Sequence, residues 1–153
     1  MSRYTSDVKI INAAQAQVWA RISDFSIYQQ MKENLPAEQK AAIKAKINEL
    51  GEGKIQLSDF RFSQDAVDFK VSGMDVRVYI VEREEPMKCV KLKADKAPID
   101  FTLWIQLLPK EAYQTKCKVT VEVDIPFFLK PMIGKKLDGV ADQIAEFMTK
   151  IPY

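Results

Sequence analysis

The sequence contains no histidine. That absence excludes the Ser-His-Asp and Cys-His nucleophile pairs, the HExxH zinc site and a histidine haem ligand, and it leaves no side chain that titrates near neutrality unaided. Cysteine is scarce too. Cys89 and Cys117 form no CxxC pair and no metal-ligand spacing, so they read as reduced, buried small hydrophobes and point to a cytoplasmic setting. The glycines at 51, 53, 73, 134 and 139 are scattered, which leaves no phosphate-cradling loop, and neither GxSxG nor SxxK occurs. No apolar run approaches the ~18–20 residues of a membrane span. The opening MSRYTSDVKIIN lacks the apolar stretch of a signal peptide. With 23 basic and 21 acidic residues the net charge is +2, too small for non-specific nucleic-acid binding, which needs several clustered phosphate contacts. No metal, cofactor, nucleic-acid partner or stable membrane insertion is expected.

What is present is a chain of 153 residues, 47% of them hydrophobic, enough to bury a sizeable core as one domain over 1–153. Tyr4, Ser6, Val8 and Ile10 alternate with Thr5, Asp7 and Lys9, which predicts one strand with a buried side. Ala14, Val18, Trp19 and Ile22 then recur at helical spacing, Ser23-Asp24 ends that helix, and residues 25–32 form a second short one. Pro36 suits a first helical turn, Ile43, Ile47 and Leu50 step by four and three, and Gly51 and Gly53 follow as C-cap residues, giving a further helix over roughly 36–50.

From Ile55 the period becomes two. Phe60 and Phe62, then Val67, Phe69 and Val71, then Val76, Val78 and Ile80, then Val90 and Leu92, then Phe101, Leu103, Ile105 and Leu107, and finally Cys117, Val119, Val121, Val123 and Ile125 each alternate with polar residues. Turn residues separate them, as at Ser72-Gly73 and Glu85-Pro86. Short connections between successive strands imply an antiparallel meander. Leu129, Ile133, Leu137, Val140, Ile144, Phe147 and Ile151 step by four or three, which predicts a terminal amphipathic helix of about 24 residues starting near Pro126, with Pro131 delaying or kinking its first turn.

The expected fold class is therefore α+β: a seven-stranded curved antiparallel sheet wrapped around a long C-terminal helix, with two or three short helices between strands 1 and 2. This order, the opening VKIINAAQAQVWARISDF, the segments VEREEP and PIDFTLWIQLLP, and the closing helix resemble the helix-grip fold of the START-like, or SRPBCC, superfamily. The resemblance spans the whole chain, and its motifs are structural. It implies a cavity between sheet and terminal helix, and a function among lipid carriage, polyketide-type ligand binding and cyclase, aromatase or hydratase chemistry. The segment LPAEQKAAIKAKINELGEGK is an addition to the superfamily pattern, either a portal lid or plain structure.

The cavity-lining candidates are the inward apolar positions Val78, Ile80, Leu92, Phe101, Leu103, Ile105, Val119 and Val121 from the sheet, facing Met132, Ile133, Leu137, Val140 and Ile144 from the helix. The partner they imply is a hydrophobic small molecule. They equally suit a core packed at native density. No catalytic residue is assigned. Glu82, Glu84 and Glu85 lie beside Arg83 and Lys88 as a solvated turn, and Asp100 opens a strand near a turn. Arg77, Tyr79, Thr102, Trp104 and Gln106 alternate with the apolar set and so face outward, which weakens the enzyme alternative. A third possibility is a ligand-free accessory or interaction protein resembling those that accompany carbon monoxide dehydrogenase. Lysines 40, 44, 46, 130, 135 and 136 read as solvated.

Overall fold

The computed structural model describes residues 2–50, 57–95, 100–124, 127–129, 131, 137, 139–151 and 153. The chain opens with strands β1 (Ser2–Thr5) and β2 (Lys9–Ile11), continues through helices α1 (Gln15–Ile22), α2 (Ser26–Asn34) and α3 (Ala37–Leu50), and then runs through the strands β3 (Leu57–Phe62), β4 (Ala66–Val71), β5 (Met74–Glu84), β6 (Cys89–Asp95), β7 (Asp100–Glu111) and β8 (Gln114–Asp124). A 3-10 turn at Phe127–Leu129 and helix α4 (Val140–Met148) follow. All strand pairs are antiparallel, in the order β1-β8-β7-β6-β5-β4-β3, with β2 also paired to β8.

The meander from β3 to β8 follows the alternation of the sequence. Between β4 and β5 the last pair is Val71 with Met74, leaving a two-residue turn in which Ser72 (φ 49°) and Gly73 (φ 86°) are both left-handed. That mirror-image turn matches the strand twist, and glycine enters it without strain. In register, Ile80, Leu92, Leu103, Val121 and Tyr4 form one row across five strands, and Arg83, Val90, Ile105 and Val119 form the row two positions away. Arg83 joins the apolar face because a bulge between Ile80 and Glu82 adds one residue to β5 and reverses the parity beyond it. Val18 and Ile22 from α1 and Ala141, Ala145 and Met148 from α4 complete the core with Ile11, Leu107 and Cys117.

Two expectations are corrected. The first strand is two strands. Ser6 turns inward and is buried, Val8 is 53% exposed, and beyond the kink it is Ile11, opposite the buried Thr115, that enters the core, while Ile10 lies opposite the exposed Lys116. The cause is local: Ser6 bonds Val119 through both its backbone and its side chain, which interrupts the ladder and shifts the register by one. The terminal helix is also not one span of about 24 residues. Gly139 sits at φ 81°, a left-handed conformation that no L-residue helix propagates through, and α4 is the nine residues that follow it. Residues 125, 126, 130, 132–136 and 138 lie outside the described residues. The short helix packs on β8, β1 and β2 through small residues, Ala141 and Ala145, which permit a close approach.

The additional helix exists as α3, but the side chains of residues 37–45 are all exposed, Ile43 at 46% included. Its apolar stripe at Ile43 therefore does not reach the core. The side chains of Ile47 and Leu50 lie outside the described residues, as do Gly51 and Gly53.

Candidate functional site

The apolar face of the sheet is unevenly covered. Where α4 and α1 pack, Ile80, Leu92, Ile105, Val119 and Val121 are fully buried. These five expected cavity residues are brought together as packed core. Val78, Phe101 and Leu103 lie on the same face of the sheet and, with Leu137, Val140 and Ile144, are half-buried and packed against that core. Met132 and Ile133 lie outside the described residues.

Next to this half-covered strip the structure adds aromatic residues. The rings of Phe60 and Phe69 stack with centroids 5.4 Å apart, Phe60 and Phe62 at 6.1 Å, Tyr28 meets Phe62 at 5.7 Å, and Phe25 meets Tyr28 at 6.4 Å. Phe62 lies opposite Val67, which lies opposite Val78, so the ladder continues the apolar row into the half-buried strip. All five rings are themselves half-buried. The result is a half-buried apolar strip, termed the trough, with Val78, Leu103 and Phe101 as its floor and an aromatic flank from β3, β4 and α2.

Helix α2 is held against the ladder by polar side chains. The backbone N–H of Phe62 donates to Gln29 Oε1 at 2.9 Å, and Lys32 Nζ donates to the Phe60 carbonyl. These side chains occupy outward-facing backbone groups of the edge strand, which otherwise present a template for a further strand. Helix α1 is tied down at its C-terminal end by Arg83, whose Nε donates to the Ser23 carbonyl at 2.9 Å and whose Nη2 pairs with Asp65.

The other face of the sheet is polar, as the alternation implied. Trp104 lies there under Arg3 and Lys91, 5.6 and 5.7 Å from the ring centroid. Arg77 forms a two-pronged pair with Asp68, at 2.7 and 3.0 Å, which raises its pKa further. Tyr79 and Thr102 share a row with Lys93, and Gln106 with Lys118. None of these five polar candidates enters the trough. Glu82, Glu84, Glu85 and Asp100 are exposed.

Two surface hollows, of about 620 and 400 Å³, have walls rich in charge, including Asp59, Arg61, Asp68, Asp75 and Arg77 in the larger and Asp65, Arg77, Arg83 and Asp95 in the smaller. Of the expected cavity residues, Ile80 alone touches either one. Neither hollow is the apolar cavity expected from the sequence. The apolar surface lies in the open trough, which is not enclosed by the described residues.

Among the described residues no group of three or more Cys, Asp or Glu side chains is placed to hold a metal ion. Burial pushes the Cys117 thiol up to about 11 and raises Cys89 as well, with help from Glu84 and Glu82. Both thiols are thereby held in their unreactive protonated form. No described helix is long and apolar enough to cross a membrane.

The fold recurs in solved structures. A START superfamily protein from Mycobacterium smegmatis is 11% identical, with 98% of this chain and 99% of that chain covered and a TM-score of 0.53. The fold is START-like. A conserved protein from Geobacillus kaustophilus superposes with a TM-score of 0.59 at 14% identity, over 97% of this chain and 91% of that one. Norcoclaurine synthase from Thalictrum flavum does so with a TM-score of 0.54 at 9% identity, over 98% and 87%. At these identities the likeness is one of START-like architecture alone. No family model matches the sequence, and comparison with curated proteins gives no match.

Sequence alternation located the floor of the trough. It missed Phe25, Tyr28, Phe60, Phe62 and Phe69 as its flank. The pairs Phe60/Phe62 and Val67/Phe69 were legible as strand faces, but their role depends on where α2 docks, and that carries no periodic signal.

Proposed function

We propose that the protein binds a hydrophobic small molecule in the trough between the β5–β7 floor, the aromatic ladder of β3 and β4, and α2. The observation that carries this reading is the continuity of half-buried apolar side chains, Val78, Leu103, Phe101, Phe62, Phe60 and Phe69, beside a core that is otherwise fully covered. Apolar surface left in contact with water is a standing driving force of about 25 cal/mol per Å² for an apolar occupant. Ligand sites are characteristically lined this way, with few polar groups. The START-like architecture supports the same reading by analogy, which is a warrant for fold rather than for reaction.

An enzymatic role in the same trough gains no support from the polar set read from the sequence, since Arg77, Tyr79, Thr102, Trp104 and Gln106 lie on the opposite face.

The test is to extract the purified protein with organic solvent and analyse the extract by mass spectrometry, alongside a thermal-shift screen of apolar compounds. A bound lipid or aromatic compound is expected. A ligand at 100 times its Kd should stabilise the protein by about 2.7 kcal/mol. Leu103→Arg, which places a charge on the half-buried floor, should fold and lose binding. An empty extract, together with no shift from any apolar compound, refutes the carrier reading.

A further inference from the structure

The outward face of the sheet is polar except at one corner, where β2, β7 and β8 meet. Leu108 on β7 is 62% exposed, Tyr113 in the β7–β8 hairpin 77%, and Val8, which leads into β2, 53%. Register sets one of them beside a cation: Leu108 lies opposite Lys116, and Lys116 lies opposite the half-buried Ile10. A single exposed apolar side chain is ordinary on a protein surface, but a group of them among lysines marks a surface that meets something.

The lysines form a pattern of their own. On β8, Lys118 lies opposite Gln106, two positions from Lys116. On β6, Lys91 lies opposite Trp104 and Lys93 opposite Thr102. All four share the outward face, on the two strands that flank β7. At ~3.4 Å per residue they fall on a diagonal that extends about 20 Å along the strands. None of the four forms an ion pair among the described residues, whereas Arg3, Lys9, Lys70, Arg77 and Arg83 each do. The acids of this face leave the diagonal open. Glu122 is taken by Arg3 at 2.8 Å, Glu82 lies opposite Lys91 and Glu111 at the hairpin without an ion pair among the described residues, and Asp100 and Asp124 lie at the far end of these strands.

Two kinds of anionic partner could use such a diagonal, and the apolar residues decide between them. A nucleic acid would use the lysines alone. Leu108 and Val8 offer nothing to a phosphate backbone, and the Trp104 ring already carries Arg3 and Lys91, at 5.6 and 5.7 Å from its centroid, where a base would have to stack. A bilayer surface uses both sets. Lysines pair with lipid phosphates while their stems cover apolar surface, and aliphatic and aromatic side chains enter the boundary between headgroups and acyl chains.

We propose that this corner docks the protein reversibly on a membrane surface rich in anionic phospholipid, with Lys116 and Lys118 against lipid phosphates and Leu108, Tyr113 and Val8 in the headgroup layer. The trough lies on the other face of the sheet and takes no part in the contact.

Binding is measured by co-sedimentation with vesicles of phosphatidylcholine alone, and of phosphatidylcholine and phosphatidylglycerol in equal parts. The wild type should bind the mixed vesicles and not the neutral ones, and added salt should weaken the binding. Lys116→Glu with Lys118→Glu should lower the affinity by at least about tenfold, since each cation near an anionic surface contributes separately. Leu108→Ser with Tyr113→Ser should weaken it too. All four positions are exposed, so the thermal melts of both variants should match that of the wild type. Lys40→Glu with Lys44→Glu on α3 makes the same change in net charge outside this face and should bind as the wild type does. Failure of the wild type to bind the mixed vesicles overturns the proposal, and so does an equal loss in the α3 variant. Competition by a short duplex DNA, with vesicle binding undiminished in the Leu108/Tyr113 variant, would make the face a general polyanion surface and overturn the lipid assignment. A wild-type dimer that the same substitutions dissociate would assign the corner to a second copy of the chain and overturn it as well.

Discussion

Ser6 and Val119 exchange two hydrogen bonds: the Ser6 N–H donates to the Val119 carbonyl at 2.8 Å, and the Val119 N–H donates to Ser6 Oγ at 2.9 Å. The hydroxyl takes the place of a backbone carbonyl, and its own proton goes to the Asp7 carbonyl at 2.8 Å. This exchange lets the N-terminal strand kink without leaving the fully buried Val119 N–H unpaired. Ser6→Ala removes the acceptor that the structure gives that N–H, and the unfolding free energy should fall by about 1–3 kcal/mol. Chemical denaturation measures it. A change within about 0.5 kcal/mol, typical of a surface site, would mean the kink does not depend on the serine.

The β3 edge is kept from pairing with another chain by α2, through Gln29 and Lys32 on the backbone of Phe62 and Phe60. Replacing both by alanine frees those backbone groups while the aromatic ladder beneath them keeps its rings. An unprotected edge beside an apolar face is a template for strand addition. The double variant should therefore show concentration-dependent self-association by analytical ultracentrifugation under conditions where the wild type does not. Equal sedimentation of the two proteins at all concentrations would remove this role from α2.

Strand alternation made the inner face of β5 to β8 legible, because one residue of slip reverses every side chain and a buried face tolerates no ambiguity. It failed wherever a side chain or a dihedral, rather than a period, decides the course of the chain. The Ser6 hydroxyl breaks the first strand, moving Ile11 inward and Val8 outward. Gly139, at φ 81°, sets the start of α4 at Val140, although Leu137, Val140 and Ile144 step across it with helical spacing. Of the expected cavity residues, Val78, Ile80, Leu92, Phe101, Leu103, Ile105, Val119 and Val121 share one face of the sheet, but the sequence could not separate Ile105, sealed in the core, from Leu103, which is half-buried. That difference depends on where the helices dock, α1 on β7 and β8 and α4 on β8, β1 and β2, which carries no periodic signal.

The two faces of β7 give a direct contrast. Ile105 lies between Val90 and Val119, both 0% exposed. Ile105→Arg puts an unpaired guanidinium there and should cost about 3–5 kcal/mol or prevent folding. Thr102→Arg lies on the polar face between Lys93 and Glu122 and should change stability by no more than about 0.5–1 kcal/mol. Thermal melts of the two variants decide it. Equal tolerance of arginine at both positions would invalidate the face assignment.

Cys117 links stability to pH. In the unfolded chain its thiol ionises around 9.0, whereas in the folded protein burial pushes that up to about 11. Below the lower value the thiol is protonated in both states and contributes no pH dependence. Between the two, the unfolded chain releases a proton that the folded protein keeps, so stability falls as pH rises. Each unit of difference corresponds to about 1.4 kcal/mol, and the loss across this window should reach about 2–3 kcal/mol. Cys89, Tyr28 and Tyr153 are raised as well and act in the same direction, each above its own ordinary value. The contribution of Cys117 is isolated by difference. Cys117→Ala lowers stability at neutral pH by leaving a small void, but its unfolding free energy should decline less steeply from pH 9 to 11 than that of the wild type. The two curves should converge as pH rises. Parallel curves would show that the Cys117 thiol ionises alike in the folded and unfolded chain, and that its burial carries no proton linkage.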